Sequence, residues 1–425
     1  MTRNGYGHMV HDDFVDRLRQ VRAERRERLA AIRTRAQAEA YQRRVRKAIR
    51  RAFGPRPSKT PLNRQVTGII ETRDYRLEKL TFESRPGCLV TGHLYVPHSI
   101  DGKAPAVLGT CGHSDSGKLE PKYQGFCQRL VRNGHIVLIY DPFNQGERDQ
   151  YWPLSERDVV RNCCHAHNMM GKQLELVGEW FGMWRTWDGV RALDLLLARR
   201  DVDRTRVGLT GNSGGGTMTQ WLWATEPRFT MAAPSCFVTT FLNNLENELP
   251  ADCEQYPPGV IGAGLEMADF YIARAPEPVM LLGQKYCFFD RRGLHESFEE
   301  VRHFYDLLGA PPQASQVFLG GHGHGYHEDN QEAMVGFFAK HAGTSAKRLR
   351  DPVLLDEAEA LVTPKGNTID AGATPIYELV DDIAQNLSAE RPRLSSTKLR
   401  SSVGDILCLP ERKNAPHFRI LRANR

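Results

Sequence analysis

The run Gly211-Asn212-Ser213-Gly214-Gly215 places a serine hydroxyl among small residues, directly after the apolar segment Val207-Gly208-Leu209-Thr210 and directly before a helix-like stretch. On a sharp strand-to-helix turn such a serine projects above the sheet edge as a nucleophile. The glycines leave room for the turn, and the Gly214 N–H, at a helix N-terminus, points at a developing oxyanion. A phosphate-binding turn would need a P-loop lysine or Gly-x-Gly-x-x-Gly spacing, and neither is present.

A serine hydroxyl attacks only when a base removes its proton. Where serine sits on such a turn, acid and histidine follow it in chain order. Three histidines, His322, His324 and His327, lie in the glycine-bearing loop after the apolar run ending at Leu319. His324 is the expected base, because its small neighbours let the ring reach Ser213, and His322 is the second choice. The acid is expected after Val279-Met280-Leu281-Leu282, where Asp290 is the nearby carboxylate; its competing role is a helix cap or a partner for Arg291 or Arg292. The second oxyanion donor is expected from the backbone of His113 or Ser114, in the loop after Ala106–Gly109, with Asp115 and Lys118 bracing that loop.

The elements that must position these groups read as alternating strands and helices. Strands are expected at Tyr75–Phe82, Cys88–Val96, Ala106–Gly109, His135–Tyr140, Val207–Thr210, Thr230–Ala233, Val279–Leu282 and Gln316–Leu319. Helices are expected at Tyr123–Asn133, Trp187–Arg199, from Gly215, at Glu296–Leu308 and at Gln331–His341, with further helices at Tyr377–Leu387 and Ser395–Leu407. Alternation of this kind predicts a mostly parallel sheet covered by helices on both faces.

Ahead of it, Phe14, Leu18, Val21, Leu29, Ile32 and Ala36, then Tyr41, Val45 and Ile49, recur at helical steps, with arginines on the other faces. Between His11 and Phe53 there are 14 Arg and Lys against 6 Asp and Glu, so the whole chain's net charge of +6 is a local excess. No base-stacking aromatics accompany it, which argues for a solvated basic face and against a nucleic-acid arm. The helices could also join copies of the chain. The expected division is a basic helical extension over residues 1–60, a catalytic domain over 61–345 and a C-terminal appendage over 346–425.

Hydrophobic residues at 40% and charged residues at 25% are ordinary for a globular chain. No secretory-type start and no long apolar run is present, so the expectation is a cytoplasmic protein without a membrane partner. Nine scattered cysteines do not form a disulfide framework. Cys163-Cys164-His165-Ala166-His167 has metal-ligand residue types but not the regular spacing of a zinc site, and reads as a lid or pocket lining. Trp180, Phe181, Met183, Trp184 and Trp187 could line a pocket or form a core-facing helix stripe.

Several separated pieces carry a resemblance. They are Cys111-Gly112-His113 through Gly117-Lys118, Asp141-Pro142-Phe143-Asn144-Gln145-Gly146-Glu147-Arg148, His167-Asn168 with Gly171, Trp187-Asp188 and the Asp201–Gly216 region. Asp252-Cys253-Glu254-Gln255, Phe288-Phe289-Asp290-Arg291-Arg292-Gly293 and His324-Gly325-Tyr326 complete the set. Over roughly Leu94 to His341 the chain resembles the acetylxylan-esterase-like and dienelactone-hydrolase-like bacterial esterases of the α/β-hydrolase superfamily. The resemblance implies that fold, a catalytic triad, no cofactor or metal, and a small-molecule ester such as an acetylated carbohydrate. It carries the nucleophile to Ser213 and the base to His324; His167, Trp187, Glu254 and Cys287 are the candidate pocket residues.

One departure stands out: that group tends to carry aspartate where this chain has Cys287. An unperturbed thiol, with a pKa of about 8.5, is a poor substitute for a charged carboxylate. Asp290 takes the role, Glu254 reaches in, or the triad is incomplete. Besides an ester hydrolase, two further readings follow: an amidase of the prolyl-peptidase type, and a catalytically weakened hydrolase-fold protein acting in binding or assembly.

Overall fold

The computed structural model of the chain describes residues 8–152, 160, 163–249, 251–344, 346 and 351–408. Nine strands form one sheet: β1 (Gln65–Glu71), β2 (Tyr75–Arg85), β3 (Cys88–Pro97), β4 (Ala104–Thr110), β5 (Ile136–Tyr140), β6 (Val202–Asn212), β7 (Met231–Ser235), β8 (Val279–Tyr286) and β9 (Ser315–Gly323). Their order is β1-β2-β3-β5-β4-β6-β7-β8-β9. The first three pair antiparallel and β3 meets β5 antiparallel; from β5 to β9 every pairing is parallel.

β4, β5 and β7 are buried along their whole length, which is why they read as continuous apolar runs rather than alternating ones. Their side chains still alternate between faces. Ala106, Leu108, Ile136 and Leu138 pack into a core with α2 (Arg35–Phe53), α5 (Phe181–Leu197), α6 (Gly214–Thr225), α8 (Met267–Ile272) and α9 (Arg291–Leu307). Val107, Val137 and Ile139 face the other way, onto α3 (Pro121–Arg132) and α10 (Glu328–Ala342). The sheet therefore has two apolar faces and needs a helical layer on each.

All eight expected strands are present, and the expected helices lie at α3, α5, α6, α9 and α10; α4 (Cys164–Leu176), α7 (Phe241–Glu246) and α11 (Glu357–Ala360) are further helices. β1 was not anticipated: it is an edge strand, mostly exposed and interrupted by Gly68, so it carries no alternating apolar signal.

α1 (Met9–Ala30) and α2 confirm the helical reading of the N-terminal segment, and Thr34 with Gln37 forms a capping box at the start of α2. The buried face of α1 differs from the expected one. Phe14 is exposed, while Arg22 and Arg25 are buried with Val15, Leu18 and Leu29. The guanidinium of Arg25, 1% exposed, lies 2.8 Å from Asp269, whose side chain is fully buried, and 2.8 Å from Glu300. The Tyr41 hydroxyl donates to the other oxygen of Asp269 at 2.8 Å. Part of the basic excess is thus consumed by carboxylates of α8 and α9 rather than by solvent.

The chain divides into two compact units, residues 1–380 and 381–425, rather than at 60 and 345. The N-terminal helices belong to the first unit, and so does the segment 351–380. That segment docks through its backbone: Glu147 accepts from the amides of Val362 and Thr363 and from the Thr363 hydroxyl. Polar docking of this kind leaves no apolar periodicity. The second unit holds the end of α12 (Ile376–Glu390) and α13 (Ser396–Leu407); residues 409–425 of the expected appendage lie outside the described residues. Among the described residues no helix is long and apolar enough to cross a membrane.

Removing one partner of a buried ion pair strands the other charge, at a cost of about 3–5 kcal/mol. Arg25→Ala is therefore expected to lower the unfolding free energy by about that amount. Urea unfolding followed by far-UV circular dichroism measures it, and a loss below about 1 kcal/mol would show the α1 arginines to be dispensable.

Candidate active site

β6 ends at Asn212 and α6 begins at Gly214, so one residue, Ser213, makes the whole turn. It does so at φ 59° and ψ −124°, a conformation that costs a non-glycine residue of order 1–3 kcal/mol and persists only where neighbours enforce it. Two hydrogen bonds pin it: the Ser213 N–H donates to the Ser235 carbonyl at 2.9 Å, and the Thr217 N–H donates to the Ser213 carbonyl at 2.9 Å. The end of β4 presses on the same turn from below. A Cβ at position 215 would sit 2.2 Å from the Thr110 carbonyl oxygen, so only glycine lets α6 start there. Ser213 itself is half-buried, and its hydroxyl has no hydrogen-bond partner among the described residues.

His324 follows β9, in the loop before α10. Its ring stacks on Phe288, with centroids 4.1 Å apart, and leans on Phe289. Its Nδ1 lies 3.1 Å from the Cys287 sulfur. Burial, together with the positive surroundings of Lys122, His113 and His327, lowers its pKa to about 4, so the ring is neutral at physiological pH. A neutral imidazole is the form able to accept a proton. The other loop histidines lie apart: His322 is exposed, stacks on His327 and approaches Asp329 at 3.7 Å.

Asp290 is not brought to His324. Its carboxylate accepts from the Arg292 N–H at 2.8 Å, capping α9, and pairs with the Arg292 guanidinium. The helix-cap role weighed against the acid role is the one the geometry provides, because an N-cap carboxylate is drawn to the free amides of the first turn. The place beside Nδ1 is held by Cys287, with a second sulfur, Cys236, next to it. Cys236 follows β7 in a left-handed conformation, φ 50°, and its sulfur lies 3.5 Å from the Gly325 carbonyl. The two thiols are shifted in opposite directions: the hydrogen bond to Cys236, burial and the charge of Cys236 push Cys287 upward, while the same hydrogen bond lowers Cys236. Nothing in the sequence signalled Cys236, since its role arises from the parallel pairing of β7 with β8.

On the other side of Ser213, the ring of His113 packs against Gly214; a Cβ there would be 2.8 Å from His113 Cε1. Behind it is a buried polar network. Glu254, fully buried, approaches His113 Nε2 at 3.0 Å and His167 Nδ1 at 3.3 Å and pairs with Arg185. Burial opposes charge on His113, but hydrogen bonds to Cys164 and Glu254 and the Glu254 charge override it and raise its pKa to about 10. Glu254 is held well below the usual carboxylate range: burial opposes this, and Arg185, His167 and His113 prevail. The expected oxyanion contribution of His113 was its backbone amide; the structure adds an imidazolium beside Gly214. Among the described residues the N–H groups of His113 and Gly214 have no protein acceptor, whereas the Gly112 N–H donates to the Tyr123 hydroxyl at 2.8 Å.

Glu254 and His167 thus stand behind His113 rather than lining a pocket, and Glu254 does not reach His324. Trp187 is core: 1% exposed, it donates its indole N–H to the Ser84 carbonyl at 2.9 Å. Lys118 braces the loop as expected, buried between Asp141 and Glu147 at 2.6 Å from each. The segment expected as a lid or pocket lining, Cys163 to His167, caps and opens the helix Cys164–Leu176, with Ala166 and His167 buried. A cavity of about 660 Å³ beside α2 is lined by Arg46, Arg50, Met183 and Arg274 but by neither Ser213 nor His324.

Residues 171–258 match the prolyl oligopeptidase family, a stretch that contains the Ser213 turn. YtaP of Bacillus subtilis (strain 168), named as a hydrolase, is 26% identical over 201 residues, spanning 45% of this chain and 62% of that protein. Among solved structures, methylesterase BT1017 superposes with a TM-score of 0.67 at 20% identity, covering 87% of this chain and 81% of that one. A Bacteroides fragilis protein described as an acetyl xylan esterase gives 0.55 at 18% identity, covering 84% and 89%. The glucuronoyl esterase from Solibacter usitatus gives 0.53 at 17%, covering 69% and 91%. Strand order, the Ser213 turn and these structural likenesses together show that the chain has the α/β-hydrolase fold.

Proposed function

We propose that this chain is a serine hydrolase that cleaves a carboxylic ester, with Ser213 as nucleophile and His324 as base. The observation that carries the reading is the strained Ser213 turn, with His113 packed against Gly214 and the Ser213 amide held by Ser235, whose neighbour Cys236 bonds to the loop of His324. Ser213 Oγ attacks the ester carbonyl while His324 Nε2 takes its proton. The amides of Gly214 and His113, reinforced by the imidazolium, receive the charge on the carbonyl oxygen. His324 then protonates the departing alcohol, and water, deprotonated by the same ring, releases the acid from the acyl-enzyme. With the imidazole proton on Nδ1, the ring donates to the Cys287 sulfur, which orients it without supplying a full negative charge. The methylesterase, acetyl xylan esterase and glucuronoyl esterase names of structural relatives favour a carbohydrate ester.

The match to the prolyl oligopeptidase family supports amide cleavage as a second reading. Comparing acetyl esters with acyl-proline amides separates the two. A fluorophosphonate probe is expected to label Ser213, and Ser213→Ala is expected to abolish both labelling and at least ~10³-fold of the ester hydrolysis. An unlabelled wild-type protein would overturn the serine mechanism.

The depressed pKa of His324 sets the pH dependence. A base must be unprotonated, so activity is retained above its pKa and lost as pH falls through it. The kcat/KM for a neutral ester should be level from pH 8 to about 5 and half lost near pH 4, where the ring takes up its proton. A limb near the ordinary value of about 6.5 would show that burial and the neighbouring cations do not act on this ring.

Cys287→Asp should place a carboxylate 3 to 4 Å from Nδ1, move that acid limb upward by about one to two pH units and raise kcat/KM by about 10- to 100-fold. By contrast Asp290→Ala should cost about 1 kcal/mol of stability through the lost cap while kcat changes by less than about 2-fold. A collapse of kcat in Asp290→Ala, with Cys287→Asp inert, would return the acid role to Asp290.

A further inference from the structure

The sulfurs of Cys236 and Cys287 and a ring nitrogen of His324 lie within 4.8 Å of one another. They come from three consecutive strand ends. Cys236 follows β7 and its N–H donates to Leu282 of β8 at 2.9 Å, Cys287 follows β8, and His324 follows β9. The backbone frame is therefore the sheet itself, and the His324 ring is further fixed by its stack on Phe288. Two thiols and an imidazole are the ligand set of three-coordinate protein zinc sites that keep a fourth position open. Zn–S bonds of about 2.3 Å and Zn–N bonds of about 2.0–2.1 Å at tetrahedral angles separate the donor atoms by about 3.5–3.8 Å. The 3.1 Å between Cys287 Sγ and His324 Nδ1 would open by about half an ångström to reach that arrangement, and the Cys236 sulfur already lies within 4.8 Å of both.

The two other donor clusters are poorer hosts. Both use His113, and one uses Glu254, whose charge already faces the Arg185 guanidinium. A dication there would displace or repel that buried cation. Among the described residues no guanidinium or ammonium pairs with the donor atoms of the Cys236, Cys287 and His324 cluster, although Lys122 lies in the surroundings of His324.

We propose that Cys236, Cys287 and His324 Nδ1 form a binding site for a thiophilic divalent cation, Zn²⁺ foremost, and that filling it switches hydrolysis off. Binding replaces the protons of the two thiols, which are released to solvent, by bonds to the metal. It also occupies Nδ1, so the one remaining proton of the neutral imidazole sits on Nε2. Nε2 then has no lone pair to receive the Ser213 proton, and the base is disabled without moving. The metal site stands on the donor geometry alone; its regulatory effect rests on the serine-hydrolase reading.

The full chain, reduced with a phosphine and stripped with a chelator, is titrated with Co²⁺ and then Zn²⁺. One equivalent of Co²⁺ should produce thiolate-to-metal charge-transfer absorption and intense tetrahedral ligand-field bands, and X-ray absorption of the zinc form should show two sulfurs at about 2.3 Å and nitrogen at about 2.0–2.1 Å. Cys236→Ser and Cys287→Ser should each weaken zinc binding at least ~100-fold, while Cys164→Ser, which removes a donor of another cluster, should change it less than ~3-fold. Zinc saturation should lower ester hydrolysis at least ~10-fold, and chelator should restore it. Absence of the thiolate band at one equivalent, or affinity indifferent to both Cys236→Ser and Cys287→Ser, overturns the site. A thiolate–metal spectrum with undiminished hydrolysis overturns the switch and leaves the site. A spectrum with no hydrolysis in either form, metal-free or loaded, removes the hydrolase reading and the switch with it, while the site stands.

Discussion

The close approach of three backbones at residues 110, 213 and 235 is the constraint on which the rest depends. Ser213 occupies a left-handed conformation because Gly215 lets α6 begin directly above the Thr110 carbonyl while the Ser213 amide is held by Ser235. A side chain larger than hydrogen at 215 would force the helix away from β4, and the hydroxyl would leave the sheet edge. The strain is offset by the packing of a sheet buried on both faces, a general way in which folds hold a reactive group in an otherwise unfavourable geometry.

Around that turn the charges are arranged asymmetrically. Glu254, buried with Arg185 and His167, keeps His113 protonated, and His113 in turn lies against Gly214 and contributes to keeping His324 neutral. Two imidazoles in one site thus carry opposite protonation states for opposite reasons: one has a buried carboxylate, the other has burial and cations but no carboxylate. A neutral ring backed by thiols is a weaker base than one backed by aspartate, because nothing stabilises the imidazolium that forms as serine loses its proton. In the proposed mechanism the cationic His113 would offset part of that deficit by acting on the oxyanion instead.

The N-terminal helices are tied to the same body through a different charge arrangement. Asp269 receives both the Arg25 guanidinium and the Tyr41 hydroxyl, so α1 and α2 are fastened to one buried carboxylate of α8. α8 and α6 belong to one core with α2, which connects the extension mechanically to the helix that follows Ser213.

Sequence by itself determined the alternation of strands and helices, the Ser213 turn and the loop bearing His324, because each of these is a local pattern: an apolar run of the right length, glycines where a turn needs them, a histidine among small residues. It also exposed Cys287 as an anomaly. Tertiary structure alone decided which groups meet. Asp290 reads as an acid only until α9 is seen to begin there and claim its carboxylate, and Trp187 reads as a pocket wall only until it is seen inside the core. Cys236 joins His324, and Glu254 charges His113, because neighbouring strand ends and long connections bring together residues 88 and 141 positions apart in the chain. Such contacts leave no periodicity in a sequence, since they follow from strand order and register rather than from spacing.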